Sequence, residues 1–580
     1  MSDTYDFEKS SLPQFLDDYT PFLDKQSTNY INDQNSGVYS ANQSLVMFDL
    51  SSLYSSSKFT NTNDMFLTIP ITMVCALSVA GAAPSVVPPT AGWALQTLKS
   101  GSHNLIHQAD LQVDGRTVCE SQPFLGTFTN VKLLSELSQN DLKSIGTTIG
   151  FSDCIDTANT SIYNSDSVTA TNWTNGNGYT NNTVFGNNSM STGGTTQNVG
   201  LCNEAINKRA LRTVDLSKAG INKIVDSIVS KGQLNTDFKA TYQVLNTNYG
   251  VIYDLAIIRL KDILDCMDKI GLVKRFNGVL RLYVNTGALW IGCNSGSSAD
   301  TAVPRYNFSV TNSTFNNVCP FTINNLNIAT TAGGGIPFAQ TQISAGLFIG
   351  RALQTSCNGV NLGASGASHP MQACRLYYSS VVLEPEKALT YSRANQMKNV
   401  VYKSYYFNQI NAVTAGGNYS QLIQSGITNP HALFIIPYIS SVTTGLSGYQ
   451  WHSPFDTAPA TGSPCILENL QVQLGGQQVL QSSYYYGFED FLTQFVNAES
   501  LSSSDFGVGV GLVNKEWWDM NRIYYVNLSR STKSDRMTPR NIVLSFKNSS
   551  LVSIDLKVFT VYLDSFRISV DSGLISSGDL

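Results

Sequence analysis

Two histidines four positions apart, His103 and His107, are the residues whose type and spacing best suit metal chemistry. On one face of an α-helix, such a pair can present two imidazole nitrogens to a zinc ion. The flanking residues, from Gly101 to the Asp114-Gly115 turn, instead predict a loop that enters a strand. The two rings then need not converge, and we predict no metal site.

Adjacent carboxylates are the second candidates, because a paired acid and base can move protons to and from a substrate. The sequence contains Asp17-Asp18 and Glu489-Asp490. Neighbouring side chains on a strand point to opposite faces, so we interpret both pairs as solvated. The sequence also lacks a phosphate-binding loop, a G-x-G-x-x-G fingerprint and a G-x-S-x-G elbow. We predict a protein that is not an enzyme, with no catalytic residues and no cofactor.

Two aromatic clusters, Trp517-Trp518 and Tyr484-Tyr485-Tyr486, could stack against sugars or bases. Aromatic side chains also dominate the energetics of cores and interfaces. We therefore predict that both clusters pack between sheets or between subunits, with ligand stacking as the alternative.

Charge is sparse and unevenly distributed along the 580 residues. Charged residues make up 13% of the chain, against roughly 25% in an ordinary soluble protein, so the surface must be covered mainly by uncharged polar groups. Residues 1–33 contain seven acidic residues and two lysines, which accounts for the whole formal net charge of -5. Because no run of Lys or Arg occurs, we predict no sequence-specific binding of nucleic acid.

The first residues and the longest uncharged stretch argue against export and membrane insertion. Met1 to Lys25 lacks the continuous apolar region of a signal peptide. Residues 65–83 are uncharged and long enough to span a bilayer. Pro70 and the β-branched residues before it favour a buried strand followed by a loop. We predict no transmembrane segment.

Short β-branched and aromatic runs, separated by Gly, Asn, Ser and Thr, indicate an antiparallel β fold. Residues Ile554 to Val558 alternate apolar and charged side chains, which predicts a strand that buries one face and exposes the other. Helical periodicity occurs in residues 260–270 and 217–232. The fold class predicted is all-β with a few short helices.

An internal repeat predicts the domain organisation. Three similar motifs occur in the same order in each half of the chain. They pair residues 67–71 with 434–438, residues 111–118 with 470–479, and residues 199–217 with 510–529. We infer two similar β domains in tandem.

The first half is longer than the second between the second and third motifs. A stretch rich in Asn, Thr, Ser and Gly, residues 153–198, lies there. Its composition cannot form a core, so we predict an insertion without which the first domain still closes. Its Asn-x-Ser/Thr triplets arise readily by chance in such sequence, and we expect no glycosylation at Asn159, Asn172, Asn181 and Asn187.

Seven motifs are distributed over the two halves of the chain, and the order in which they occur indicates a protein family. They are LKSGSHNLIHQADLQVDGRTV (98–118), TFTNVKLLSELS (127–138), SIGTTIGF (144–151), FIIPYI (434–439), SPCILENLQVQLGGQQVLQSSYYYGFEDFLTQF (463–495), NRIYYVNLSRS (521–531) and PRNIVLSFKN (539–548). Together they resemble the double jelly-roll major capsid proteins of icosahedral double-stranded DNA viruses, the adenovirus-type lineage. Within that lineage they are most similar to the proteins of polinton-like viruses and virophages.

The resemblance implies an acidic N-terminal arm (1–45), a first eight-stranded jelly roll (46–388, with the insertion 153–198) and a second (389–580). It implies a homotrimer that forms a pseudo-hexagonal capsomer and contacts neighbouring capsomers, penton proteins and minor capsid proteins. Such a protein is made in the reducing cytoplasm or viral factory of the host cell and ends in the virion. The alternative is a secreted or surface two-domain β-sandwich protein that binds glycans.

The ten cysteines are scattered along the chain without a Cys-x-x-Cys pair, which predicts free thiols in a reducing compartment. Alkylation of the unfolded chain without reductant should therefore add ten labels, as measured by intact-mass spectrometry. Two or more protected pairs of cysteines would contradict this prediction.

Overall fold

The structure is a computed structural model whose strands form two large sandwiches, one after the other along the chain. Two small two-stranded sheets complete the β structure of the described residues. The described residues are 23–35, 37, 39, 45–55, 57–79, 95–151, 250–295, 306–313, 319–324, 341–350, 356–357, 360–361, 373–440, 465–481, 485–499, 511–529, 538–551 and 553–578.

The first part of the chain contains sixteen strands among the described residues, and eight of them form the B-to-I sandwich that we call the first roll. The sixteen strands are Leu23–Asn32 (β1), Leu45–Asp49 (β2), Phe59–Val79 (β3), Leu95–Leu98 (β4), Ile106–Val113 (β5), Arg116–Glu120 (β6), Gly250–Arg259 (β7), Leu272–Val273 (β8), Gly278–Val284 (β9), Gly287–Ser295 (β10), Tyr306–Ser313 (β11), Phe321–Asn324 (β12), Thr341–Ile349 (β13), Ser356–Cys357 (β14), Val360–Asn361 (β15) and Arg375–Leu383 (β16). One sheet has the order β1-β16-β3-β7, and the facing sheet has the order β2-β9-β5-β6. The other strands extend the first sheet or pair with each other.

The second roll repeats this topology. Its strands are Lys398–Val413 (β17), Asn418–Ile427 (β18), Pro430–Ile439 (β19), Leu467–Leu474 (β20), Gln477–Gln481 (β21), Tyr524–Asn527 (β22), Arg540–Asn548 (β23), Ile554–Ile568 (β24) and Ile575–Ser577 (β25). The sheets have the orders β17-β24-β19-β22 and β18-β23-β20-β21. Lettered A to I along a jelly roll, the orders of both rolls are B-I-D-G and C-H-E-F. The prediction of an all-β fold with two tandem eight-stranded jelly rolls is confirmed.

Alternation of side chains along the strands builds the core between the two sheets of each roll. Strand β9 is an example, because Leu280, Leu282 and Val284 are buried while Arg281 and Tyr283 between them are half-buried. Successive side chains point to opposite faces, so this strand presents its aliphatic face to the facing sheet. Buried apolar residues of both rolls belong to one continuous cluster.

Helices are short and lie in the connections. The longer ones are Leu125–Glu136 (α1), Leu260–Ile263 (α2), Asp265–Ile270 (α3), Pro385–Ala394 (α4), Phe488–Glu499 (α5) and Lys515–Met520 (α6). Helices α1 and α5 occupy the same place in their rolls, directly after strand F. No helix among the described residues is long and apolar enough to cross a membrane, and the uncharged residues from Met65 onward lie in strand β3, as predicted.

Part of the predicted arm, residues 1–45, is a strand of the first roll. Residues Leu23–Asn32 form β1, which pairs with β16 from Leu23 opposite Leu383 to Asn32 opposite Arg375. This strand is the B strand of the first roll, and without it the roll would have seven strands and an open edge on β16. Residues 1–22 lie outside the described residues. The expected boundary between the rolls, 388/389, falls inside α4.

The repeat is confirmed at its first two motifs and wrong at the third. The first motif is strand D in both rolls, and the second is the E–F hairpin. The third motif lies on strand G in the second roll, but the G strand of the first roll is Gly250–Arg259, well after residues 199–217, which lie outside the described residues. The F–G connection of the first roll is therefore longer than the predicted insertion 153–198, which lies inside it and outside the described residues.

Two local predictions also need correction. Strand β24 buries both faces along Ile554–Val561, including Asp555 and Lys557, because its second face packs against the first roll. The periodic segment 260–270 is two helices rather than one, because Leu264 between them has extended backbone angles. The predicted helix at 217–232 lies outside the described residues.

Strand β1 should be essential for the fold. A chain that starts at residue 33 lacks this strand and exposes the pairing edge of β16, so we expect it to aggregate or to melt at a temperature about 10 °C lower than the full chain, given about 2–4 °C per kcal/mol in domains of about 150–250 residues. Circular dichroism against temperature measures the effect. The control starts at residue 23 and keeps the strand; equal melting of the two truncated chains would contradict the prediction.

Candidate functional site

The two candidate histidines lie in different surroundings. His103 is in a short helical turn and shares a hydrogen bond with Asn130, while His107 is on β5 with its ring edge-on to Phe124. Burial lowers the pKa of both rings to about 4, and the charge of Lys557 adds to the effect on His107. The described residues contain no cluster of three or more His, Cys, Asp or Glu that could hold a metal ion. The prediction of a loop entering a strand is confirmed.

The other candidate groups divide between solvent and core. Glu489 and Asp490 are exposed in the first turn of α5, as predicted, and Asp17-Asp18 lies outside the described residues. Trp517, Trp518 and Tyr486 are buried. The tryptophan indole of residue 518 donates to the Ile523 carbonyl, and Tyr486 Oη donates to the Tyr525 carbonyl. Packing between elements is therefore the role of these three rings, as predicted; Tyr485 is exposed and Tyr484 is outside the described residues.

Five cysteines lie among residues whose side chains are described: Cys119, Cys266, Cys319, Cys374 and Cys465. All five are buried and free, in agreement with the predicted thiols. A hydrogen bond with Cys119, together with burial, raises the pKa of the Cys266 thiol well above its ordinary value. The Cys266 thiol is therefore protonated and unreactive at neutral pH.

Among the described residues, the contact between the two rolls brings together aromatic rings and buried charged side chains. The second roll presents the outer face of β17, β24 and β19, where Phe407, Phe559 and Phe434 are direct register partners. We call this row the second-roll ladder. Helix α1 of the first roll covers it: Phe124 lies 4.6 Å from the ring of Phe407, and Phe128 lies 6.0 Å from Phe559.

Two tyrosines on β17 extend the contact with hydrogen bonds. Tyr405 Oη donates to the Gln122 carbonyl at 2.6 Å, and its ring stacks on Phe128 at 4.3 Å. Tyr402 Oη lies 2.7 Å from the Val118 carbonyl. Because the Val118 carbonyl is on strand F and the Gln122 carbonyl lies between strand F and α1, the second roll holds the segment that leads into that helix. Burial raises the pKa of both tyrosines above the ordinary value, so both remain neutral.

A lysine is buried in this interface. Lys557 is on β24, two residues before Phe559, and its Nζ lies 3.6 Å from the ring centroid of Phe124 and 5.3 Å from that of Tyr438. Burial, with a contribution from the charge of Lys99, lowers the pKa of Lys557 well below its ordinary value. An aromatic face is one of the few surroundings that stabilise a cation away from water.

An ion-pair network lies beside the aromatic contact. Lys132 Nζ of α1 is 3.0 Å from Asp265 Oδ1 of α3, and Asp265 Oδ2 accepts from the backbone N–H of Lys403 on β17 at 3.0 Å. Burial opposes the charge on Asp265, but Lys132 and the Lys403 N–H outweigh it and lower the pKa of that carboxyl to about 2. The first roll thus supplies both charges, and the second roll supplies a backbone donor.

A cavity of about 50 Å³ lies between the network and the ladder. Its lining comes from both rolls and includes Lys132, Glu136, Tyr405 and Phe434. Burial raises the pKa of Glu136 above the ordinary value, which favours the protonated carboxyl. The end of α1 is held from the other side, because Leu512 N–H donates to the Leu134 carbonyl at 2.7 Å. The arrangement fixes one roll on the other, and its volume accommodates only a few water molecules.

Sequence reasoning did not find this site, because its residues are ordinary in type and distant in the chain. Lys132, Asp265 and Lys557 each read as solvated charges on a helix or a strand. The aromatic pair Phe124 and Phe128 was the available signal, since a three-to-four-residue aromatic spacing on a short helix indicates an apolar stripe.

Comparison with known proteins supports the fold. No protein-family model matches the chain, and a search of curated proteins found no match. The cryo-EM structure of the Sputnik virophage is similar over 98% of this chain and 92% of that chain, with 11% identity and a TM-score of 0.50. The mavirus major capsid protein (100% and 95% covered, 8% identity, TM-score 0.42) and the Faustovirus major capsid protein (97% and 93%, 10%, 0.41) were also found. The fold of this chain is thus shared with a virophage protein.

Substitution of Asp265 should loosen the junction of the rolls. Asp265→Asn leaves the Lys132 charge partly buried without its partner, which should cost about 2–4 kcal/mol in unfolding free energy. Because the pKa of Asp265 is lowered, the stabilisation is complete above the ordinary carboxyl pKa and is lost as the pH falls toward about 2. Chemical denaturation at pH 7 and pH 2 measures both effects.

The control for this prediction is the exposed pair Lys515–Asp519. Asp519→Asn should change the unfolding free energy by less than about 0.5 kcal/mol. The double variant Lys132→Met with Asp265→Leu should recover part of the loss, because it removes both charges but leaves the Lys403 N–H without its acceptor. Equal effects of Asp265→Asn and Asp519→Asn would show that the network contributes nothing.

Proposed function

We propose that the chain is the major capsid protein of an icosahedral double-stranded DNA virus, a structural protein and not an enzyme. The observation that carries the proposal is the tandem of two B-I-D-G and C-H-E-F rolls joined through a buried interface. A shell subunit needs a rigid block with closed sheets, and two packed rolls provide one. The similarity in fold to a virophage protein over 98% of this chain supports the proposal.

The subunit forms a homotrimer, so that three chains with two rolls each give a pseudo-hexagonal capsomer. In the shell this capsomer contacts neighbouring capsomers, penton proteins and minor capsid proteins. Sparse charge, 13% of residues, suits surfaces that pack closely against copies of themselves. The protein is made in the reducing cytoplasm or viral factory and ends in the virion, consistent with the buried free cysteines.

The glycan-binding alternative depended on aromatic residues available for stacking. Trp517, Trp518 and Tyr486 are instead buried among each other and among the residues of β22. Nothing in the described residues favours that alternative over a shell protein.

The purified chain should form a trimer with three times the 63.1 kDa chain mass. The expected interfaces exceed the roughly 2,000 Å² of standard complexes, so the trimer should persist at micromolar concentration. Size-exclusion chromatography with light scattering measures the mass, and electron microscopy should show hexagonal outlines. A stable monomer with native β-sheet circular dichroism would contradict the proposal.

A further inference from the structure

The outer face of the first roll carries an aromatic row like the one that the interface covers. Tyr30 on β1 is the register partner of Tyr377 on β16, and Tyr377 is the register partner of Phe66 on β3. The ring centroids of Tyr377 are 5.7 Å from Tyr30 and 4.8 Å from Phe66. We call these three residues the first-roll ladder.

The two ladders occupy equivalent positions. Each runs directly across strands B, I and D, and each has a basic residue two residues before its central ring, Arg375 in the first roll and Lys557 in the second. Both basic side chains contact aromatic faces, since the guanidinium of Arg375 lies 4.7 Å from the Tyr30 ring and Lys557 Nζ lies 3.6 Å from the Phe124 ring. The first-roll ladder is more exposed to solvent than the second-roll ladder: Tyr30 is 53% exposed, whereas Phe434 and Phe559 are buried.

The residues at the start of α1 that cover the second-roll ladder have counterparts in helix α5 of the second roll. Helices α1 and α5 each have 12 residues and each follow strand F. Alignment on their buried amides, Asn130 and Gln494, matches Phe124 with Phe488 and Phe128 with Leu492. Phe488 and Leu492 are partly exposed, with the exposed residues Glu489 and Thr493 beside them. The helix therefore carries an apolar pair at the positions that cover a ladder in the other roll.

Charge complements this match. The Nε atom of Arg375 is buried and has no hydrogen-bond partner among the described residues. Glu489 follows Phe488 directly, and in the equivalent contact Phe124 lies on Lys557. A helix placed on the first-roll ladder in the same way brings the Glu489 carboxylate close to the Arg375 guanidinium, where a charge-assisted hydrogen bond can form.

We propose that Phe488 and Leu492 of α5 dock on the first-roll ladder of a second copy of this chain, repeating between molecules the contact that joins the two rolls within one. The inference rests on the proposed trimer and names its interface. In a closed ring of three chains, each of the six ladders is covered by one helix of the preceding roll, so no ladder remains exposed. The chain's own α1 already covers its second-roll ladder. We therefore assign the first-roll ladder to helix α5 of a second copy.

Photo-crosslinking tests the contact directly. A benzoylphenylalanine at position 492 should form a crosslink to a peptide containing Tyr30 or Tyr377. Trimers assembled from mixed nitrogen-14 and nitrogen-15 chains distinguish contacts between copies, because crosslinked peptides then combine both isotopes. A crosslink to any other surface in a correctly formed trimer would overturn the proposal.

Substitutions measure the energetic role of the contact. Tyr30→Asp and Leu492→Asp place charges in the interface, so each should raise the concentration at which the trimer dissociates at least tenfold. The matched controls are Tyr54→Asp and Leu551→Asp, which change a tyrosine that is 58% exposed and a leucine that is 71% exposed and should leave dissociation unchanged. Circular dichroism confirms that each variant is folded, and the crosslink decides the matter if a variant fails to fold.

The outcomes separate the two proposals. A monomeric wild-type chain would overturn the proposed trimer and with it this interface. A wild-type trimer that tolerates both Tyr30→Asp and Leu492→Asp would overturn only the docking of α5 on the first-roll ladder.

Discussion

Burial of both faces of one sheet is the constraint on which the rest of the structure depends. Strands β17, β24 and β19 present one face to their own roll and the other to helix α1 of the first roll. A sheet in a single sandwich has one face buried against the facing sheet and one face exposed to solvent. Here the second face is apolar over the ladder and places Lys557 against aromatic rings. The second roll is therefore complete only with the first roll in place.

The ladder and the ion-pair network have different physical roles in this junction. Contacts between aromatic rings bury large apolar areas and supply most of the attraction. The pair Lys132–Asp265 contributes less net energy, because desolvation offsets its Coulomb attraction. Its hydrogen bond to the Lys403 N–H instead fixes the position of α3 along β17. Apolar contact thus holds the rolls together, and the polar contacts set their register.

Duplication links this internal junction to assembly. Two rolls that share strand order, an E–F hairpin and a helix after strand F present the same surfaces twice. Among the described residues, one of the two equivalent junctions is formed, because the α1 segment covers the second-roll ladder. The first-roll ladder and the apolar pair on α5 remain partly exposed, and the closed ring that we propose would cover both.

Local patterns in the sequence determined the β class, the first two motifs of the repeat and the turn at Asp114-Gly115, because alternation and turn residues act over a few residues. Only the tertiary structure decided what lies opposite each strand face. Lys557 lies in an alternating pattern that is typical of a solvent-exposed strand face. It is nevertheless buried, because Phe124 at the start of α1, which is distant in the chain, packs against it. Strand β1 belongs to the first roll because β16 offers an unpaired edge. Its G strand is Gly250–Arg259 because it pairs with β3. Pairing and face burial are long-range interactions, and one strand's sequence does not encode its partner.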